Sequence, residues 1–294
     1  MPFIPGVYLF EVHMSVRGER NGIFAVLADE GYNSNITVHA QYEINKWKDT
    51  QLDRGVFTRL WLVEAASKPI DTYTIRNLAS GKYMTPFNGS NVVAVDRKPN
   101  TTEHWTIASD EYQCTVKDPN SSGALVGIQD NSASVILGAS GQKELHTEWH
   151  FKRVSRSGAE IRTAMLRRLT TKHEDFYTHT YQVEGEYLIF PRGFFARIWK
   201  NIPKRPHRQG IYDSDHSATA FKVAVATMGS DYIKADGLSI LCGLMLGRPT
   251  PPAAEGQKAF NFTLTDDYLA VVFFDSDTGE FKDEMGYDPH MAYF

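Results

Sequence analysis

The sequence predicts two domains, a three-repeat all-β trefoil followed by a mixed α and β domain. Three observations point there. A tryptophan recurs at a fixed interval through the first half, apolar alternation of period 2 surrounds it, and helical periodicity replaces that alternation near residue 157. A length of 294 residues suits two domains of roughly 150 residues each.

Trp61, Trp105 and Trp149 each follow the last by 44 residues. Each lies in a short apolar run: Arg59–Val63, Glu103–Ile107 and Glu148–Phe151. A second run recurs upstream of each, at Gly6–Phe10, Asp71–Ile75 and Glu111–Thr115, with the alternation of a half-buried strand. Turns rich in Gly, Asn and Ser separate them, such as Ala79–Lys82 and Pro119–Gly123. A repeat of this length is one supersecondary unit used several times. Three copies suit a closed trefoil better than an open solenoid, which needs more repeats and polar caps. The competing reading is a β-sandwich with accidental tryptophan spacing. Each tryptophan is expected in the core, because an indole within an apolar strand packs there. No helical period is evident before about residue 155.

From Ser157 the pattern changes. Gly158–Thr170 places Ile161, Ala164, Met165 and Leu169 at helical spacing, with arginines on the other face. Gly193–Asn201 is a second helix candidate. Asp213-Ser214-Asp215-His216-Ser217 reads as an N-cap cluster opening a third helix of about twelve residues. Gly237–Leu246, Ala259–Thr265 and Tyr268–Phe274 are near-continuous apolar runs expected as strands buried on both faces. Gly247–Gln257, with three prolines, reads as a loop. The domains are therefore drawn at 1–155 and 156–294.

Composition narrows the function classes. Charged residues make up 22% and the net charge is −4, which gives no general drive toward nucleic acid or an anionic membrane. No apolar run is long enough to span a bilayer. Cys114 and Cys242 fall in different domains, so no disulfide framework is expected. With no leader segment visible at Met1–Gly6, a reducing, cytoplasmic setting follows as the expectation.

Five segments in order then carry a family resemblance: Ile211–Asp215, Leu241–Gly247, Phe260–Thr265, Val272–Phe274 and Gly286–Asp288. With Tyr83-Met84, Asn88-Gly89-Ser90 and the three Trp motifs, they make the chain resemble the Marasmius oreades agglutinin family of fungal chimerolectins. The resemblance implies a ricin-B type trefoil fused to a papain-like, calcium-dependent cysteine protease domain. It also implies a homodimer formed through the second domain, and galactose or N-acetylgalactosamine type glycans as partners.

The family's working positions hold other residues here. Ser214 stands at the nucleophile, Lys258 at the general base and Asp275 at the acid, where the family has Cys, His and Glu. A cysteine thiol ionises at about pH 8.5, and lower at a helix N-terminus beside an imidazolium. A serine hydroxyl needs a base instead. Lysine, with an ordinary pKa of about 10.4, is protonated near neutrality unless burial lowers it. An ion pair of Lys258 with Asp275 beside an inert, helix-capping Ser214 is therefore expected, and a degenerate protease with it; a Ser–Lys hydrolase is the enzymatic alternative. Asp213, Asp215, Asp275 and Asp277 are candidate oxygen ligands for calcium. In the trefoil, the family's sugar-binding Asp positions hold Val26, Thr85 and Gly127, and its Gln positions hold Arg59, Glu103 and Thr147. The second repeat is least altered. There Asn88 and His104, with Tyr83 or Phe87 as a stacking face, are the candidate carbohydrate contacts. A protein that kept the fold but binds no sugar, acting in interaction or defence, is the remaining reading.

Overall fold

The computed structural model describes residues 3–14, 23–28, 36–40, 54–87, 91–96, 99–100, 104–109, 114–118, 120–121, 123–127, 135–139, 149–169, 177–178, 185–208, 210–249, 256–265 and 267–294. The chain divides into two compact units. One comprises residues 1–154 with 232–236, the other 155–231 with 237–294.

The first unit is built from three sets of four strands. The first set is β1 (Gly6–Met14), β2 (Ile23–Ala28), β3 (Thr37–Ala40) and β4 (Leu60–Ala65). The second is β5 (Thr72–Asn77), β6 (Tyr83–Phe87), β7 (Asn91–Val95) and β8 (Trp105–Ser109). The third is β9 (Cys114–Lys117), β10 (Gly123–Gly127), β11 (Val135–Ala139) and β12 (Trp149–Arg153). The outer strands of each set pair in a cycle: β1 with β4, β4 with β5, β5 with β8, β8 with β9, β9 with β12, and β12 back to β1. The cycle closes a barrel, which leaves it without an edge. The inner strands form hairpins β2–β3, β6–β7 and β10–β11, each joined to the barrel through the first strand of its own set. This is the trefoil the repeat predicts.

All three tryptophans are fully buried and share one core with Tyr8, Phe10, Tyr73, Ile75, Met84, Val116 and Leu125. The Trp105 indole N–H donates to the Met84 carbonyl at 2.9 Å, and that of Trp149 to the Leu125 carbonyl at 3.0 Å. Each bond ties a barrel strand to the hairpin of its own repeat and satisfies a donor that would otherwise be buried unpaired. The register refines the repeat. Trp61 lies opposite Tyr8 and Trp105 opposite Tyr73, but Trp149 lies opposite Cys114. Cys114 thus takes the place of the tyrosine in the third repeat, and Tyr112 lies outside the described residues. One helical turn, α1 (Arg54–Phe57), interrupts the β-rich half; a single turn is too short to leave a period in the sequence.

The return segment 232–236 belongs to this unit. Lys234 N–H donates to the Leu78 carbonyl at 2.7 Å, and the Tyr232 ring stacks on Phe57 at 5.7 Å. Arg76 holds the turn beside it through the carbonyls of Gly81 (2.8 Å) and Lys234 (3.3 Å). Gly81, at φ +74, is required there: a Cβ would lie 3.1 Å from the Lys234 carbonyl oxygen.

The second unit is α+β. It runs β13 (Ser155–Ser157), α2 (Gly158–Arg168), β14 (Tyr177–Thr178), β15 (Glu186–Leu188), α3 (Arg192–Asn201), α4 (Ser214–Tyr232) and β16 (Leu238–Ile240). Then come β17 (Gly243–Pro249), β18 (Lys258–Leu264), β19 (Val271–Asp275), β20 (Glu280–Lys282) and β21 (Tyr287–Tyr293). Ser157 and Glu160 form a reciprocal capping box that starts α2. The strands form a three-stranded sheet β13-β15-β16 and a six-stranded sheet β14-β21-β17-β18-β19-β20.

Three expectations change. The helix from Ser214 has 19 residues rather than about twelve, with Gly229 buried under Ile240, where a Cβ would meet a methyl at 3.0 Å. The apolar run from Gly237 is two strands, not one: β16 pairs in parallel with β15, and β17 crosses to the larger sheet. The second of these strands runs on to Pro249, so Gly247–Pro249 of the expected loop are strand, and 250–255 lie outside the described residues.

Trp105→Ala removes a packed indole and leaves the Met84 carbonyl without its donor. It is expected to lower the stability of the trefoil by about 3–5 kcal/mol, measured as a fall in that unit's unfolding midpoint in urea, with Trp105→Phe intermediate.

Candidate functional site

The three positions at the family's catalytic places come together where the start of α4 meets the end of the six-stranded sheet. Ser214 is the first residue of α4, and its hydroxyl accepts the Ala259 backbone N–H at 3.0 Å. The expected capping role for this hydroxyl is thus replaced by a tether from the helix to β18. Lys258 opens β18, and its Nζ donates to Asp275 Oδ2 at 2.9 Å, the ion pair expected from the sequence.

A third group joins them. Lys282, on β20, donates to the same Oδ2 at 2.8 Å, while Asp277 N–H donates to Oδ1 at 3.1 Å. The Asp275 carboxylate, 1% exposed, therefore receives three donors, two of them ammonium groups. Burial alone would raise its pKa; the hydrogen bonds and charges of Lys282 and Lys258 outweigh burial and hold it below the ordinary carboxylate value. The same hydrogen bond holds Lys282 above the ordinary lysine value. Lys282 was legible only through the hairpin. Asp277-Thr278-Gly279 is a turn sequence, Gly279 sits at φ +78, and the turn folds β20 back beside β19.

Lys258 and Ser214 each already have a partner within the protein. A general base must present a lone pair, and an ammonium held by a carboxylate has none. The Ser214 oxygen already accepts a backbone N–H. Cys114 and Cys242 are both buried, and burial pushes the Cys242 thiol up to about 12.

The four carboxylates proposed as calcium ligands are not gathered in one place. Asp213 and Asp215 cluster with His216, whose Nδ1 lies 2.8 Å and 2.9 Å from their oxygens. Asp275 is occupied by the two lysines, and Asp277 contributes its backbone rather than its carboxylate to that bond. Calcium takes six to eight oxygens. One half-buried and one exposed carboxylate with an imidazole between them, and a third carboxylate already paired with ammonium groups, do not fit that ion.

In the trefoil, the sugar-contact candidates lie along β6 and at the start of β8. Phe87 ends β6 and is 50% exposed. The ring of Tyr83 is half-buried, with the Arg76 guanidinium 5.2 Å above it. His104 is buried, with Nδ1 3.5 Å from the Thr72 hydroxyl. Asn88, Glu103 and Thr147 lie outside the described residues. Thr85 and Arg59, at the family's acceptor and amide positions, are both buried. Among the described candidates, Phe87 is the one that offers an open face.

A closed three-repeat trefoil followed by an α+β unit defines a two-module protein of the β-trefoil class. Residues 187–281 match the model of the agglutinin C-terminal family. The whole chain shares its fold with the Polyporus squamosus lectin, solved with the human-type influenza-binding epitope Neu5Aca2-6Galb1-4GlcNAc. The likeness covers 99% of each chain, with a TM-score of 0.76 and 22% identity. A structure described as a PSL1a–E64 complex is equally similar, with a TM-score of 0.77, 22% identity, and 99% and 98% of the two chains covered. No curated protein sequence matches the chain.

The pH dependence follows from Asp275 and Lys282. The depressed Asp275 contributes stability that is present above the unfolded pKa of about 3.9 and lost as pH falls through its lower folded value. The raised Lys282 contributes stability that is present below about 10.4 and lost as pH rises through its higher folded value. The stability gap between wild type and Asp275→Asn, followed by urea unfolding, is expected to be flat between about pH 5 and 10 and to close toward acid.

Proposed function

We propose that this chain is a carbohydrate-binding protein that engages galactose- or N-acetylgalactosamine-type glycans through its trefoil, with a second unit that performs no acyl chemistry and pairs two chains into a homodimer. Support for glycan binding comes from the fold, shared end to end with a lectin, and from the open aromatic face of Phe87 on the β6–β7 hairpin. Sugar rings present an apolar C–H face, and an exposed aromatic ring is a suitable platform for it. The dimer rests on the family resemblance.

The observation that carries the silent second unit is the state of Lys258. Its ammonium is bound to a buried carboxylate that a second ammonium also holds, so it offers Ser214 no base. This arrangement speaks against a Ser–Lys hydrolase. A lysine works as a base where it is desolvated away from acids, the opposite of its surroundings here.

On a glycan array the chain is expected to bind galactose- or N-acetylgalactosamine-terminated ligands. Phe87→Ala should weaken them about two- to tenfold, the range of about 0.5–1.5 kcal/mol for an aromatic contact. Silence across all such ligands would favour the fold-only interaction protein. A serine-directed fluorophosphonate probe is expected to leave Ser214 unlabelled. Ser214→Ala should change no turnover and cost about 1 kcal/mol of stability, the worth of its bond to Ala259 N–H. Hydrolysis lost in that variant would restore the enzymatic reading.

A further inference from the structure

The resemblance implies a calcium-dependent unit, yet its carboxylate Asp275, buried among the described residues, is already surrounded by the protein's own cations. Lys258, Asp275 and Lys282 belong to β18, β19 and β20, three neighbouring strands of the six-stranded sheet. β20 is the last strand of that sheet, and its ladder with β19 has only three residue pairs: Lys282 with Phe273, Phe281 with Phe274, and Glu280 with Asp275. So short an edge strand has little cohesion from backbone bonds alone. Yet it carries Phe281, whose ring meets Phe274 at 5.0 Å and Phe195 of α3 at 5.8 Å. Its position therefore matters to the core beneath α3.

The Asp275 carboxylate joins all three strands through their side chains. A bound divalent ion does comparable work when it gathers anionic groups from separate segments. Here the cations are covalent parts of the strands. Both ammonium groups also lie near the ring of Phe260, at 5.0 Å for Lys258 and 5.8 Å for Lys282, and the face of that ring favours positive charge. With Asp277 N–H on the other oxygen, the carboxylate has no need of a metal.

We infer that fixed ammonium groups have taken over the clamping role of a metal ion in this unit, so that its fold is indifferent to calcium and its edge strand β20 is held in place by Lys282. The inference is independent of glycan binding: a protein that binds no sugar would still show it.

Thermal unfolding of the full chain in excess calcium and in excess chelator tests the first half. The midpoints are expected to coincide. A calcium ion held at a hundred times its Kd would raise the midpoint by about 5–10 °C, and such a rise would overturn the inference. Amide hydrogen exchange tests the second half. Lys282→Met should lower the midpoint by several degrees and speed exchange at residues 280–282, while Lys282→Arg, which keeps the charge, stays near wild type. In an Asp275→Asn background the Lys282→Met effect should shrink, because the charge it answers is gone. Unchanged exchange at 280–282, or an equal effect in both backgrounds, would show that Lys282 acts by packing and not as a clamp.

Discussion

A carboxylate with almost no exposure has to be neutralised where it sits, and Asp275 is neutralised from both sides. Its charge costs several kcal/mol to bury unless ammonium groups and hydrogen bonds surround it. Once they do, each of its partners is committed as well. Lys258 is held in an ion pair, Lys282 is drawn onto the edge of the sheet, and the turn at 276–279 is set by the Asp277 N–H and by the Gly279 N–H, which donates to the Asp275 carbonyl at 2.7 Å. Trp199 then packs on Gly279, where any Cβ would come within 2.6 Å of its ring, and its indole N–H donates to the Ser276 carbonyl. The position that would carry an acid in a protease is here the anchor of a corner of the fold.

The trefoil is organised by a different constraint. Three indoles are buried in one core, and a buried indole N–H needs an acceptor. In the second and third repeats the acceptor is a carbonyl of the inner hairpin, so the bond that satisfies the tryptophan also fixes its hairpin against the barrel. The tryptophans of the repeat therefore serve packing, while the hairpins stand outside the barrel cycle. Phe87 stands at the end of one of these hairpin strands.

Much of this was legible in the residues. The Trp interval and the alternation of period 2 gave the trefoil because both report directly on burial within a repeated unit. The Lys258–Asp275 pair was legible because substitution at two working positions left one cation and one anion where a base and an acid would stand. Other features left no such trace. The run from Gly237 is apolar throughout, and apolar content does not record which sheet a strand joins; the break at Leu241-Cys242 follows from pairing partners alone. Ser214 looked like a cap, since a hydroxyl at a helix start usually is one. Its true partner, Ala259, lies 45 residues away. Asn261 fits a glycosylation sequon but is fully buried, donating to the carbonyls of Ala218 and Gly243.

By itself the sequence determined the kinds of elements, the repeat, the order of the two domains and the presence of Ser214 and Lys258 where the resemblance places a thiol and an imidazole, because each of these depends on local composition and spacing. Only the tertiary structure decided that two lysines share one carboxylate, that the calcium candidates are scattered, and that the serine is tethered to a strand. Those outcomes depend on which distant segments become neighbours, and charges and hydrogen bonds act over a few ångströms of space whatever their separation along the chain.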